Sequence, residues 1–274
     1  MFKIIIMALL IFIGMVGYDN ITDKAQPTTP IQQEQQKVSK HEKSAAMALF
    51  TSLLPPKEEW PSPVHKFYLA FNMDEVIDPI RQNPNWTSLD AMSRDIPQAL
   101  IAIEDHGFYN HGAIAVEGIL RAALANINAG EVVQGGSTLT QQFVKNVFLS
   151  HEQSMERKIE EAVLSLMLED NYSKDEILEL YLNTTYFGAG STGIKQASRT
   201  YFGKAPSALT LAEAAVIASL PYAPTGLNPL ENPEGCKKRQ LLVLAAMHKY
   251  GMINQGQLAE AKAEKIRLTN GTFM

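Results

Sequence analysis

The chain has 274 residues and a hydrophobic fraction of 46%, enough for one large domain or two small ones with a sizeable core. Its net charge of −5 at pH 7 argues against a general nucleic-acid-binding protein, because such proteins are usually basic. The single cysteine, Cys236, excludes a framework of intrachain disulfides, and we assign it no functional role.

The chain opens with an apolar segment. Lys3 is followed by an unbroken apolar run over residues 4–17, which is shorter than the ~20 residues that a membrane-spanning helix needs. Residues 1–18 are therefore predicted to be a cleaved signal peptide or a short uncleaved anchor, with a buried core helix as a third alternative. Residues 19–43 are rich in Gln, Lys, Thr and Pro, lack aromatic residues and are predicted to be a flexible linker.

Residues 44–274 are predicted to form one mainly α domain with a few short strands. Ser150, Ser173 and Thr210 are each followed three residues later by Glu or Gln, the pattern of a capping box at a helix start. A helical run over 236–250 ends at Gly251, and a further helix is predicted near 255–265. The best strand signal is VHKFYLAF at residues 64–71.

The first polar cluster is ALIAIEDHGFYNHG, residues 99–112. An apolar stretch leads directly to Glu104 and Asp105, and burial at such a helix end raises the pKa of a carboxyl group. A Glu with a raised pKa is suited to act as a general base near neutral pH. The alternative is a solvated helix end, with Phe108 in the core and His111 at the surface.

The second cluster is VVQGGSTLTQQFVKN, residues 132–146. If a helix begins at Ser137 or Thr138, then Thr138, Gln142 and Lys145 share one face. A hydroxyl, an amide and an ammonium in a row suit an anionic ligand that is rich in hydroxyl groups, whereas the alternative is a solvated helix face. The lysine comes too late after the glycines for a phosphate-binding P-loop. The opposite stripe, which should pack inward, consists of Leu139, Phe143 and Val147.

The third cluster is SMERKIEEAVLSLMLED, residues 154–170. Arg157, Lys158, Glu161 and Ser165 lie at helical spacing on one face, and adjacent Arg and Lys side chains can clamp a phosphate. The alternative is that Glu161 is only an intrahelical salt-bridge partner, worth about 0.2–0.5 kcal/mol. The residues that turn away from this face are Ile159, Ala162, Val163 and Leu166.

Together the clusters describe one site with two carboxylates, several cations and an uncharged hydrogen-bonding face. Enzymes that act on glycosidic bonds typically use two separated carboxylates. The cations indicate a phosphorylated leaving group, which a simple hydrolase would not need.

Four of these motifs, EDHGFYNH, GGSTLTQQFVKN, RKIEE and KDEILELYLN, occur in an order and spacing that resemble glycosyltransferase family 51. These are the peptidoglycan glycosyltransferase domains of class A penicillin-binding proteins and of monofunctional transglycosylases. The resemblance covers about residues 89–265, and GIKQASRTYFGK at 193–204 looks like the fifth family motif. The chain departs from the family pattern at His106–Gly107 and at His111–Gly112–Ala113.

The resemblance implies a lysozyme-like, two-lobed helical fold around a cleft. It also implies polymerisation of lipid II into glycan strands, with inversion at the anomeric carbon and release of undecaprenyl pyrophosphate. Glu104 would be the general base, and Glu161 would assist at the pyrophosphate. The residues that match substrate-binding positions of the family are Asp105, Phe108, His111, Ser137, Thr138, Gln142, Lys145, Asn146, Arg157 and Lys158.

The resemblance further implies the surroundings of the enzyme. No cofactor is required, although Mg²⁺ or Mn²⁺ can assist departure of the pyrophosphate, and the sequence shows no dedicated metal-ligand set. The expected partners are lipid II, the growing glycan strand, the membrane and other cell-wall synthesis proteins, with no nucleic acid. The expected location is the bacterial plasma membrane, with a single N-terminal anchor and the catalytic domain on the periplasmic side.

Two other functions stay open from the sequence. A lysozyme-like enzyme that cleaves glycan strands would have no need of Lys145, Arg157 or Lys158. A non-catalytic scaffold that binds lipid II would tolerate loss of the Glu104 carboxylate. Because we find no transpeptidase motif set, the chain is expected to be a monofunctional enzyme or a fragment of a longer one.

Overall fold

The computed structural model describes residues 68–69, 72–118, 135–149 and 154–274. Within these residues the protein is almost entirely helical, which confirms the mainly α fold class. Extended pairing is confined there to two isolated bridges, Tyr186–Thr192 and Arg267–Phe273. The helices are α1 Asp74–Arg81, α2 Asp95–Glu104, α3 Leu139–Val147, α4 Met155–Asn171, α5 Lys174–Thr184, α6 Ile194–Phe202, α7 Leu211–Ser219, α8 Pro233–Lys249 and α9 Gln255–Ala263, with short 3₁₀ turns at Leu89–Ala91 and Pro206–Ala208.

Most of the N-terminal region lies outside the described residues. The proposed signal or anchor at 1–18 and the linker at 19–43 lie outside the described residues. Tyr68 and Leu69 are helical, so the strand predicted over 64–71 is wrong at the two of its residues that are described. None of the described helices is long and apolar enough to cross a membrane.

Local capping signals set the starts of two helices as predicted. The Ser173 hydroxyl accepts from the Glu176 N–H, and the Glu176 side chain accepts from the Ser173 N–H, which starts α5. Thr210 and Glu213 make the same reciprocal pair at the start of α7. Since these bonds satisfy backbone donors that the helix itself leaves unpaired, they fix the first turn of each helix. At the other end of α8, Gly251 has a φ of +73° and follows the last turn, as predicted.

The start of α4 differs from the prediction. The capping residue is Ser154, whose hydroxyl accepts from the Arg157 N–H, rather than Ser150, which lies outside the described residues. Ser154 is followed three residues later by Arg157 rather than by Glu or Gln, so the capping-box pattern did not point to it. The α9 helix also ends earlier than predicted, at Ala263.

The helices pack in two groups. The α7 helix is buried on nearly all sides, as its sequence LAEAAVIAS allows, and packs against α2 and α8. The α3 helix packs against α4 and α5, and α6 contacts both α5 and α7. A helix that is apolar all round must be enclosed by others, so α7 forms the centre of the first group and supports α2, whose last residue is Glu104.

The chain before α2 is fastened to α5 by polar side chains. The Glu179 carboxylate accepts from the Trp86 indole N–H at 3.1 Å and from the Leu89 backbone N–H at 2.8 Å. The Asn183 amide accepts from the Thr87 N–H at 2.8 Å and donates to the Thr87 carbonyl at 2.9 Å. These bonds give the Glu and Asn of the ELYLN segment a structural role, because they hold α5 against the chain segment that leads into α2.

The turn between Tyr186 and Thr192 provides a test of close packing. Gly188 and Gly190 have φ angles of +86° and +70°, but a Cβ at Gly188 would lie 2.2 Å from the Pro224 carbonyl oxygen, whereas a Cβ at Gly190 would meet nothing within 4 Å. We expect Gly190→Ala to cost about 1–2 kcal/mol from the backbone conformation alone, and Gly188→Ala to cost clearly more. Urea unfolding of the two variants measures the difference, and equal losses of stability would contradict the clash.

Candidate active site

A cavity of about 410 Å³ opens at the C-terminal end of α2. One wall is the loop that follows α2, with Glu104, Asp105 and His111, and the other is the glycine-rich segment before α3, with Ser137 and Thr138. The first two sequence motifs, which are separated by about twenty residues of chain, therefore meet across one cavity.

The Asp105 carboxylate joins these two walls. One of its oxygens accepts from the Leu139 backbone N–H at 3.0 Å, at the first turn of α3, and the other contacts the His111 ring nitrogen at 2.6 Å. The Thr138 hydroxyl donates to the Ala113 carbonyl at 2.7 Å, a second link between the same two segments. Asp105 thus ties the loop to the N-terminus of α3, where a negative charge is favoured.

The α3 helix begins where the sequence predicted. Thr138 is its N-cap, and the Thr138 and Gln141 side chains form a capping box. Leu139 and Phe143 are fully buried and Val147 packs against the same core, which confirms the predicted inward stripe. Gln142 lies on the opposite side of the helix, where its amide N–H donates to the Glu104 carboxylate at 3.0 Å.

Glu104 is the titratable group whose surroundings best suit proton transfer. Burial raises its pKa above the ordinary value of 4.5, and the neighbouring Asp105 charge adds to this effect. The Gln142 hydrogen bond and the positive charges of Arg239 and Lys145 act in the opposite direction, but burial prevails. A raised carboxyl pKa at the edge of a cavity is the property expected of a general base.

The α4 helix brings one cation to the cavity wall. The Lys158 ammonium donates to the Ser137 hydroxyl at 3.2 Å and forms a salt bridge with Glu161. Glu161 is only 2% exposed, and the Ser165 hydroxyl on the next turn is also buried, whereas Ile159 is 58% exposed. Within the predicted polar face Glu161 and Ser165 therefore pack inward, and Glu161 reaches the cavity wall through Lys158 rather than by lining the cavity.

The remaining predicted site residues do not line the cavity. Lys145 and Asn146 are exposed on α3, outside the cavity lining, although Lys145 is near enough to Glu104 to act on its pKa. Arg157 is half-buried on α4. Phe108 corrects the prediction of a cleft residue, because its ring is 0% exposed and packs in the core, with the Lys174 ammonium 4.5 Å from its centroid.

Three residues of the site escaped the sequence analysis. Arg239 and Tyr250 both belong to α8 or its C-terminal cap; Arg239 acts on the pKa of Glu104, and Tyr250 lines the cavity. The Tyr250 ring stacks on His106, with centroids 4.2 Å apart. His106 was noted only as a departure from the family pattern. No local spacing links α8 to the first motif, so only the fold could reveal this contact.

The described residues contain no group of three or more His, Cys, Asp or Glu side chains arranged to hold a metal ion.

The family assignment follows from comparison with known proteins. The family model described as "Transglycosylase" matches residues 73–248. A protein of Cupriavidus necator that is named as a transglycosylase is 41% identical over 194 residues, which are 71% of this chain and 84% of that protein. The chain belongs to the transglycosylase family. The resemblance to family 51 glycosyltransferases is thereby confirmed at the level of the family.

Penicillin-binding proteins are also similar to this transglycosylase chain. Penicillin-binding protein 1A of Aquifex aeolicus is 44% identical over 176 residues, 64% of this chain and 24% of that protein. Penicillin-binding protein 2D of Bacillus subtilis is 45% identical over 181 residues, 66% of this chain and 26% of that protein. This chain spans about a quarter of the length of these two relatives.

The Asp105–His111 pair predicts a pH-dependent stability. Burial opposes the charge on His111, but the hydrogen bonds to Asp105 and to the Gly112 carbonyl outweigh it and raise the pKa of His111 above 6.5. The stabilisation is therefore complete below about pH 6.5 and is lost as the pH rises through the raised folded-state pKa. We expect His111→Gln to lower the free energy of unfolding most at acidic pH.

Denaturant unfolding of the wild type and His111→Gln across this pH range measures that difference. In an Asp105→Asn background the pH dependence of the His111→Gln effect should largely vanish, because the partner charge is gone. A difference that grows toward alkaline pH would contradict the assignment.

Proposed function

We propose that this transglycosylase polymerises lipid II into glycan strands, with inversion at the anomeric carbon and release of undecaprenyl pyrophosphate. The observation that carries the proposal is the position of Glu104. Its carboxyl group is desolvated, has a raised pKa, and lies across the cavity from the glycine-rich segment 135–138. The family membership supplies the type of reaction, and the motifs supply the substrate class.

In this proposal Glu104 is the general base. Its carboxylate takes the proton from the 4-hydroxyl of the acceptor N-acetylglucosamine as that oxygen bonds to the anomeric carbon of the growing strand. The bond between the anomeric carbon and the pyrophosphate oxygen breaks, and the electron pair leaves with the lipid pyrophosphate. Because the pKa of Glu104 is raised, its carboxylate is a stronger base than an ordinary glutamate at the same position.

The pyrophosphate is proposed to lie against the segment before α3. Lys158 already contacts Ser137 there, and its salt bridge to Glu161 keeps the ammonium in place. Lys145 and Arg157 are the further cations assigned to the leaving group, and Glu161 acts by orienting Lys158. Negative charge grows on the pyrophosphate in the transition state, and fixed cations at that point stabilise it.

The wider setting is proposed from the family. The N-terminal apolar segment would anchor the enzyme to the bacterial plasma membrane with the catalytic domain on the periplasmic side, near its lipid-linked substrate and other cell-wall synthesis proteins. No cofactor is required in this proposal. Mg²⁺ or Mn²⁺ could assist only with ligands drawn largely from the pyrophosphate and water, since the described residues offer no three-ligand cluster, and no step depends on it.

Incubation of the purified full chain with labelled lipid II, followed by gel analysis, tests the proposal. We expect a ladder of glycan polymers from the wild type and a ~10²–10⁴-fold lower rate from Glu104→Gln, because the base is lost. The rate should also fall at acidic pH with a midpoint above 4.5, since Glu104 must be ionised. Glu260→Gln, an exposed carboxylate on α9, is the matched control.

The same assay separates the alternatives. Shortened strands from preformed glycan, with no use of lipid II, would favour the lysozyme-like hydrolase. Unchanged lipid II that nevertheless binds, with equal binding by Glu104→Gln, would favour the non-catalytic scaffold. Either result would overturn the polymerase.

A variant of Lys145 tests the proposed stabilisation of the leaving pyrophosphate by cations. We expect Lys145→Ala to lower the polymerisation rate by ~10²–10³-fold, because the growing charge on the pyrophosphate loses a cation. Lys262→Ala removes another exposed lysine, on α9, and should leave the rate unchanged. Near-normal polymerisation by Lys145→Ala in the gel assay would refute the role of this lysine.

A further inference from the structure

Tyr181 lies behind the proposed base without lining the cavity. Its side chain, on α5, is 1% exposed, and its hydroxyl donates to the Gln142 side-chain carbonyl at 3.0 Å. Gln142 in turn donates to the Glu104 carboxylate at 3.0 Å. We propose that Tyr181 is a positioning residue that fixes the Gln142 amide so that its N–H faces Glu104. This inference rests on the proposed role of Glu104 as base.

The hydrogen-bonding capacities of the three side chains support this order. An ionised carboxylate only accepts hydrogen bonds, so Gln142 must present its N–H to Glu104. The amide oxygen then points away from the cavity, into the core, where an unsatisfied acceptor would be costly. The Tyr181 hydroxyl satisfies that oxygen. Burial and the Glu104 charge raise the pKa of Tyr181 far above its ordinary value of 10, so its proton is always available for donation.

The α5 helix holds Tyr181 rigidly in place. Glu179 and Asn183, two residues before and after it, bind the segment that precedes α2. The helix that presents Tyr181 is thus fastened to the chain leading into the helix that ends at Glu104. Because α5 is held in this way, the Tyr181 hydroxyl can fix the orientation of the Gln142 amide on α3.

Tyr181→Phe removes the hydroxyl and keeps the ring. The other charges that act on Glu104, those of Arg239, Lys145 and Asp105, stay unchanged. We expect kcat for lipid II polymerisation to fall about three- to tenfold, with KM little changed. Because the carboxylate loses a well-directed donor, the acidic limb of the kcat/KM profile should move to higher pH.

Tyr201→Phe is the matched control. Tyr201 is also fully buried, and its hydroxyl donates to the Phe187 carbonyl at 2.8 Å, away from the cavity. The control should lower thermal stability as Tyr181→Phe does, but leave kcat and the pH profile unchanged. Equal losses of kcat in the two variants would reduce Tyr181 to a structural role and overturn the proposal.

A double-variant comparison tests whether Tyr181 acts through Gln142. Gln142→Leu removes the hydrogen bonds to both Glu104 and Tyr181, and should also shift the acidic limb of the kcat/KM profile to higher pH. This variant tests the proposal even if the Tyr181→Phe protein folds poorly. Adding Tyr181→Phe to Gln142→Leu should then have no further effect on kcat. Fully multiplicative losses would contradict a shared path.

Titration of Glu104 separates this inference from the proposed function. The carboxyl carbons of the full chain, labelled with ¹³C-glutamate in detergent micelles, are followed by NMR, and the Glu104 signal is assigned by its loss in Glu104→Gln. We expect a higher pKa of Glu104 in Tyr181→Phe than in the wild type. An inactive wild type would defeat the polymerase proposal, but an identical Glu104 titration in both proteins would defeat the role of Tyr181.

Discussion

The site depends on the placement of one carboxylate between two segments of chain. Asp105 accepts from the first backbone N–H of α3 and contacts His111, so the loop after α2 and the start of α3 are fixed to each other. This link sets the distance from α2 to α3 at which Gln142 reaches Glu104. Without it, the Glu104 carboxylate would have no defined position relative to the segment on the other side of the cavity.

Adjacent residues acquire opposite properties from this arrangement. Glu104 is the last residue of α2, so its charge lies at the negative end of a helix, in addition to being desolvated. Asp105 turns toward the N-terminus of α3, where exposed N–H groups favour negative charge. Burial therefore raises the pKa of Glu104, whereas Asp105 is bound to the backbone at the start of α3. A Glu–Asp pair at the junction of two helix ends thus gives one carboxylate that faces Gln142 and one that links two segments of chain.

The sequence predicted what local interactions determine. Caps at Ser173 and Thr210, the inward stripe of α3 and its start at Thr138 all follow from neighbours within one helical turn. Contacts between distant segments could not be predicted from local patterns. The burial of Phe108 and the approach of Arg239 to Glu104 are examples, because both depend on how the helices pack. The site residues could thus be recognised as motifs, while their division into lining, supporting and charge-tuning roles required the fold.

The cations near the site differ in how firmly they are held, and this bears on catalysis. Glu161 is buried, so its charge must be paired, and Lys158 supplies the partner while its side chain remains half exposed. An ammonium has three donors, and the contacts to Glu161 and Ser137 occupy two of them. Lys158 is therefore preorganised, with a direction set before any ligand arrives, and such a group needs little reorganisation as charge develops. Lys145, by contrast, is exposed on α3 and lies outside the cavity lining. The buried Glu161 carboxylate accordingly immobilises a cation at the cavity wall, although Glu161 itself does not line the cavity.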